Sequence, residues 1–190
     1  NTLEKKIADL GINIYKKRHK HILILNTNLK KLPSYEKYFY RILLDINDEF
    51  INDKKKDLGK LLENYLEDLK KNREFDAVFG GCKIGPHKSD IVGYNIKNNI
   101  NINQFSTGQQ KAVILLIILA HCNFLINELK KNPIIFFDEV CSHLDLENRK
   151  LLLDLIETLN VQTFITGTEK KIFSFLSTKA SYCNITENNE

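Results

Sequence analysis

The sequence predicts an α/β fold, a mostly parallel sheet covered by helices, with a helical arm domain before it. Three observations predict this class. Apolar residues recur at helical spacing through roughly the first 70 residues, the period turns strand-like near residue 75, and from residue 108 onward helix and strand alternate. Such alternation orders strands in parallel, because each crossover helix returns the chain to the same side of the sheet. The arm is expected at residues 1–74 and the sheet-bearing domain at residues 75–190.

In the arm, Leu3, Ile7, Leu10, Ile14, Ile22 and Leu25 mark one face of a first helix whose opposite side is basic. Pro33-Ser34 interrupts it, and Ser34 can cap a second helix in which Tyr38, Ile42 and Asp45-Ile46 continue the period. Leu58, Leu61, Leu62, Tyr65, Leu66 and Leu69 make the clearest amphipathic stripe, a third helix. Tyr35, Tyr38, Phe39 and Tyr40 read as packing residues in preference to base-stacking ones. Beyond residue 75, Phe75–Phe79, Ile91–Ile96 and Ile100–Ile102 are short strand candidates separated by Gly80-Gly81, Gly85-Pro86 and Asn98-Asn99. A helix at about residues 108–129, a strand at 134–137, a helix at about 146–159, a strand at 161–166, a short helix at 169–176 and a final strand at 182–185 complete the pattern.

Composition bounds the function. With 43% apolar residues, a 190-residue chain can bury a core. The longest apolar candidate, Ala112 to Ala120, is flanked by Lys111 and His121 and suits a buried helix better than a membrane span, so no membrane partner is expected. Cys82, Cys122, Cys141 and Cys183 are too scattered for a zinc site or disulfide framework, which fits a reducing, cytoplasmic setting. The net charge of +4 is uneven: residues 1–75 carry 17 Lys/Arg against 12 Asp/Glu. The run Lys16-Lys17-Arg18-His19-Lys20-His21 reads either as a phosphate-contacting surface or as a solvated helix face.

The chemistry-bearing residues come in a fixed order. Phe105-Ser106-Thr107-Gly108-Gln109-Gln110 precedes a long apolar helical run, placing a hydroxyl and open backbone N–H groups where a helix N-terminus favours an anion such as a nucleotide γ-phosphate. The apolar strand Ile134-Ile135-Phe136-Phe137 ends in Asp138-Glu139. Asp138 suits Mg²⁺ held through water, and Glu139 suits the polarising of an attacking water. Ser142-His143-Leu144-Asp145 follows. None of the eight glycines fits a G-x-x-x-x-G-K-[ST] phosphate loop; the single Gly-Lys pair, Gly59-Lys60, is followed by Leu61. Because the chain also opens on Asn1 and contains no Met, a phosphate loop is expected in a segment upstream of these residues, and the 190 residues alone should be inactive.

Taken in order, these segments resemble the signature, Walker B and D-loop series of ABC-type ATPase heads. Gly85-Pro86-His87-Lys88-Ser89-Asp90 further resembles the G-P-H-[RK]-x-D block of the RecF family, recombination mediators of bacterial DNA repair, in its alphaproteobacterial form. The likeness is good over about residues 56–185 and carried before that only by position and helical character. It implies part of an ABC-type head interrupted by an arm, binding ATP and Mg²⁺, dimerising on ATP and hydrolysing it slowly as a switch. It also implies loading onto DNA, single- or double-stranded and at junctions, with RecO and RecR-type proteins in recombinational repair, replication-fork maintenance and the SOS response. By the family pattern, Ser106, Thr107, Gly108 and Gln109 reach the ATP of a partner subunit, Asp138 and Glu139 serve the protomer's own Mg²⁺ and water, and Asp145 lies at the dimer seam. Thr168 stands near the usual switch His, and Phe105 and Thr107 replace a Leu and a Gly of the wider ABC consensus.

Two other ATPases share these motifs. A chromosome-maintenance or double-strand-break repair ATPase of the SMC or Rad50 kind needs long heptad coiled coils, which these residues do not contain. A transporter subunit calls for a more standard signature and a switch His, and the G-P-H block argues against it. His87 reads as a loop brace before a metal ligand or base, and Cys141 as a small apolar packer. Lys88 suits either DNA phosphate or a carboxylate at a domain boundary.

Overall fold

The computed structural model describes residues 2–32, 41–54 and 60–185, which divide between two compact units, Asn1–Phe105 and Ser106–Glu190. The expected breaks and caps at Pro33-Ser34, the aromatics Tyr35, Tyr38, Phe39 and Tyr40, and Leu58 lie outside the described residues.

The first unit is organised on α1 (Thr2–Lys31). Its N-terminal half contributes Ala8, Ile12 and Tyr15 to a core shared with Phe50, Leu61, Tyr65 and Leu69. Its C-terminal half buries Ile22, Leu25 and Leu29 and contacts β1 (Ile42–Asn47). There the Asn26 side chain pairs with a strand backbone: its Nδ2 donates to the Leu44 carbonyl at 2.8 Å and its Oδ1 accepts from the Leu44 amide at 2.9 Å. Both groups on that edge are thereby satisfied without a further strand. On its other edge β1 pairs antiparallel with β2 (Asp90–Asn95), from Ile42 opposite Asn95 to Asn47 opposite Asp90. Two short helices follow β1, α2 (Glu49–Lys54) and, after the undescribed residues, α3 (Leu61–Lys71).

Four sequence expectations fail in this unit, the first on α1, whose buried face runs through Ala8, Ile12 and Tyr15 and leaves Leu3, Leu10 and Ile14 exposed. Ile42, Asp45 and Ile46 sit at helical spacing yet form β1, because Ile42, Leu44 and Ile46 also alternate, and that period of two buries all three. Phe75–Phe79, expected as a strand, belongs to α4 (Arg73–Phe79). Phe75 and Phe79 stand four residues apart and stack at 4.3 Å, an i, i+4 pair of helical type. Gly80, at φ 72°, then ends the helix. The third candidate, Ile100–Ile102, shrinks to a single bridge between Asn101 and Tyr94 before a 3₁₀ turn.

The second unit follows its sequence pattern closely. Helix α5 (Thr107–Asn127), strand β3 (Ile134–Phe137), helix α6 (Leu146–Leu159) and strand β4 (Gln162–Ile165) succeed one another. β3 and β4 pair in parallel, Ile134 opposite Gln162 through Phe137 opposite Ile165. A 3₁₀ segment, Lys170–Lys179, replaces the short α-helix, and residues 182–185 form no strand. Tyr182 instead donates its hydroxyl to the Phe173 carbonyl at 3.0 Å. By length and composition α5 is apolar enough to cross a membrane, with a mean hydropathy of 1.6 over its best window. Here Ala112, Leu115, Leu116 and Leu119 bury against Leu151, Leu152 and Leu155 of α6. On the sheet, Ile135 and Phe137 face inward, while Phe136 and Phe164 stack at 5.1 Å on the exposed face.

Tyr15 and Tyr65 link the first unit's stability to pH. Burial pushes the Tyr65 phenol up to about 12 and drives Tyr15 higher, the Asp48 carboxylate adding to the effect of burial at Tyr15. In the unfolded chain both titrate near 10. The folded form therefore keeps protons that the unfolded form releases, so stability is full below about pH 10 and falls as pH rises toward 12. Denaturant melts across this range are expected to show a shallower alkaline loss in Tyr65→Phe than in the parent; equal slopes would refute the assignment.

Candidate functional site

β3 ends at Phe137, and the pairing with β4 continues one residue further through a bond from the Thr166 amide to the Phe137 carbonyl, 2.9 Å. That step places the Thr166 hydroxyl over the two carboxylate residues. Thr166 Oγ1 donates to Asp138 Oδ1 at 2.5 Å and accepts from the Glu139 amide at 3.0 Å. A single hydroxyl thus fixes the Asp138 side chain and the Glu139 backbone together. Glu139 takes a left-handed conformation, φ 47°, which costs on the order of 1 kcal/mol and persists when neighbouring contacts over-determine it. Both carboxylates are exposed. From the sequence, the segment Thr166-Gly167-Thr168 falls at a strand's carboxyl end, where ligands lie, but only Thr168 is given a site role; the bond to Asp138 assigns one to Thr166.

No cluster of three or more His, Cys, Asp or Glu able to hold a metal occurs among the described residues. The exposed Asp138–Glu139 pair is therefore no structural metal cage; one or two carboxylates beside waters and substrate phosphates are what a Mg²⁺ ion would need.

Ser106 caps α5 in a reciprocal capping box. Its Oγ accepts from the Gln109 amide at 3.4 Å, and the Gln109 Oε1 accepts from the Ser106 amide at 3.0 Å. The Gln109 side chain is therefore committed to the cap. Thr107 and Gly108 occupy the first two helical positions, whose N–H groups have no intrahelical acceptor. Asp145 has a local task of the same kind: its Oδ1 accepts from the Asn148 amide at 2.8 Å and caps α6. Thr168 is exposed just beyond β4. Cys141 is fully buried with Phe173 and Leu176, and burial raises its thiol pKa, the behaviour of a packing residue. Asp138, Glu139 and Thr166 form one site, and no hydrogen bond among the described residues joins Ser106–Gln109 or Asp145 to it.

In the first unit, Lys16, Lys17, Lys20 and Lys88 are exposed, whereas the Arg18 guanidinium donates to the Pro86 carbonyl. His87 bonds through Nε2 to the Cys82 carbonyl at 2.9 Å, so that nitrogen carries the proton and the ring braces its loop.

A strand ending in adjacent carboxylates, a capped signature-type helix and a βαβ unit define part of an ABC-type ATPase head. The "RecF/RecN/SMC N terminal domain" family model matches residues 4–189, and the chain belongs to that family. Within it the likeness is to RecF. The chain is 31% identical over 185 residues to the "DNA replication and repair protein RecF" of Agrobacterium fabrum, covering 96% of this chain and 48% of that protein. It is 34% identical over 168 residues to RecF of Rickettsia prowazekii, covering 88% and 46%. A solved structure of "the recombination mediator protein RecF-ATPrS in RecFOR pathway" superposes with a TM-score of 0.69 at 24% identity, over 89% of this chain and 44% of that one. The chain thus spans about half the length of these relatives.

If Thr166 holds the carboxylate pair, Thr166→Val should speed exchange of the Glu139 amide roughly fivefold, as loss of a hydrogen bond worth about 1 kcal/mol implies. Thr166→Ser should leave it near the parental rate. Residue-resolved exchange checks both, and equal rates in parent and Val variant would sink the assignment.

Proposed function

We propose that the chain belongs to a RecF-type DNA-binding ATPase that uses slow ATP hydrolysis as a switch in recombinational DNA repair and replication-fork maintenance. The observation that carries this reading is the Asp138–Glu139 pair held by Thr166 at the carboxyl end of a parallel strand. ATP bound with Mg²⁺ supplies the phosphoryl group. Asp138 would hold Mg²⁺ through water, the ion supplying charge neutralisation at the phosphates, and Glu139 takes a proton from the attacking water. Ser106, Thr107 and Gly108 present a hydroxyl and two amides to the γ-phosphate of a second protomer's ATP, with Gln109 shaping that helix end. Asp145 borders the dimer seam, and Thr168 occupies the switch position.

The missing phosphate loop comes, on this reading, from the part of the whole protein that the 190 residues do not span. The exposed apolar sheet face bearing Phe136 and Phe164 supports a further layer of residues packed over that face. Residues 1–74 serve as the arm and 75–190 as their portion of the head. The arm's Lys16, Lys17, Arg18 and Lys20, with Lys88, form the basic surface for DNA, and RecO- and RecR-type proteins are the partners. Four free thiols suit a cytoplasmic setting.

In the full-length protein, Glu139→Gln should retain ATP binding and lower the hydrolysis rate by at least about 100-fold, because Gln keeps the shape but accepts no proton. Turnover at the parental rate would exclude Glu139 as the base. Ser106→Arg should leave nucleotide binding to the protomer intact and abolish ATP-dependent dimerisation. Sedimentation with ATP reads this directly, and an undiminished dimer fraction would show that the signature does not act across a dimer.

A further inference from the structure

Two sequence features 68 residues apart meet in the first unit, where Arg18 of α1 donates from its guanidinium to the carbonyl of Pro86. That carbonyl is also the acceptor on which the Pro86–Lys88 turn closes: the Ser89 amide donates to it at 3.3 Å, and the Lys88 amide donates to the Gly85 carbonyl at 2.9 Å. The flanking residues are anchored as well. His87 bonds to the Cys82 carbonyl, and Ser89 Oγ donates to the buried Asp48 at 2.5 Å. Gly85, at φ 141°, lies where a Cβ would come 2.7 Å from the Tyr65 hydroxyl. Between these anchors Lys88 is exposed and, with Lys83, borders a cleft of about 340 Å³. Lys16, Lys17 and Lys20 of α1 are also exposed, Lys16 and Lys20 on the side of the helix opposite Arg18.

We infer that Arg18 is a positioning residue and not itself a phosphate contact: it fastens the Gly85–Ser89 turn to α1 and so holds Lys88 in place as a phosphate contact. The ligand class is a nucleic-acid backbone, and the inference rests on the proposed reading of these lysines as DNA contacts. A planar guanidinium suits the task because its donors have fixed directions, whereas an ammonium on a flexible stem would leave the turn free to swing. Arg18 thereby joins the basic run on α1 to the Gly-Pro-His-Lys segment, contributing geometry where Lys88 contributes charge.

Two measurements on the full-length protein test this. Without DNA, Arg18→Gln should raise amide exchange at Lys88 and Ser89 about tenfold, while the Ile51 amide, held by Asp48, stays at its parental rate and reports that the unit remains folded. Arg18→Lys, which keeps the charge, should show the same loosening. With a duplex oligonucleotide titrated at several salt concentrations, Lys20→Gln and Lys88→Gln should each reduce the salt slope by about 0.9. Arg18→Gln combined with Lys88→Gln should bind no more weakly than Lys88→Gln alone, whereas Arg18→Gln combined with Lys20→Gln should show additive losses. Unchanged exchange at Lys88 and Ser89 would overturn the clamp, and additive losses for Arg18 and Lys88 would make Arg18 a direct phosphate contact. If Lys88→Gln leaves affinity and slope unchanged, the DNA reading of Lys88 falls, and the exchange result alone decides the clamp.

Discussion

The parallel register of β3 and β4 is the constraint on which the candidate site depends. Thr166 reaches Asp138 and Glu139 because Phe137 pairs with Ile165 and the next amide bonds back across the strands. A slip of one residue would bring Ile165 or Gly167 to that place, neither with a hydroxyl, and would exchange the inward and outward faces of the strand. Burial of Ile135 and Phe137 on one face opposes such a slip. Packing several ångströms from the carboxylates thus determines their geometry.

In the first unit a buried carboxylate holds a comparable place. Asp48 is only 4% exposed and accepts from the Tyr15 hydroxyl, the Ser89 hydroxyl and the Ile51 amide. These donors join α1, the turn after Gly85 and the start of α2. A carboxylate in this position costs several kcal/mol without such partners and little with them, so each donor ties its segment to the others. Tyr15, Phe50 and Tyr65 wall the network, with Phe50 and Tyr65 ring centres 5.0 Å apart.

Ser106 and Asp145 show how a functional motif and a folding signal can coincide. Each is the N-cap of its helix, and each side chain bonds to the amide three residues on. A helix start selects Ser or Asp there whatever the protein does. The cap by itself is therefore no sign of a nucleotide site, and the functional reading of these residues rests on their order relative to Asp138-Glu139 and on family membership.

The sequence by itself determined the elements whose causes are local. The strand at 134–137 and the helix at 146–159 fall where periodicity places them, and α5 begins within a residue of its expected start. The order of the motifs likewise made the ABC-type head and the RecF likeness legible before any coordinates. Tertiary structure decided the rest. Residues 42–47 satisfy both helical and strand spacing, and pairing with β2 together with the Asn26 amide selected the strand. Thr166 and Arg18 took their places through partners 28 and 68 residues away in sequence. A repeat of two or of 3.6 residues is written into the chain at short range, but which backbone groups meet across tens of residues depends on the register and burial of the whole unit, and no local pattern encodes it.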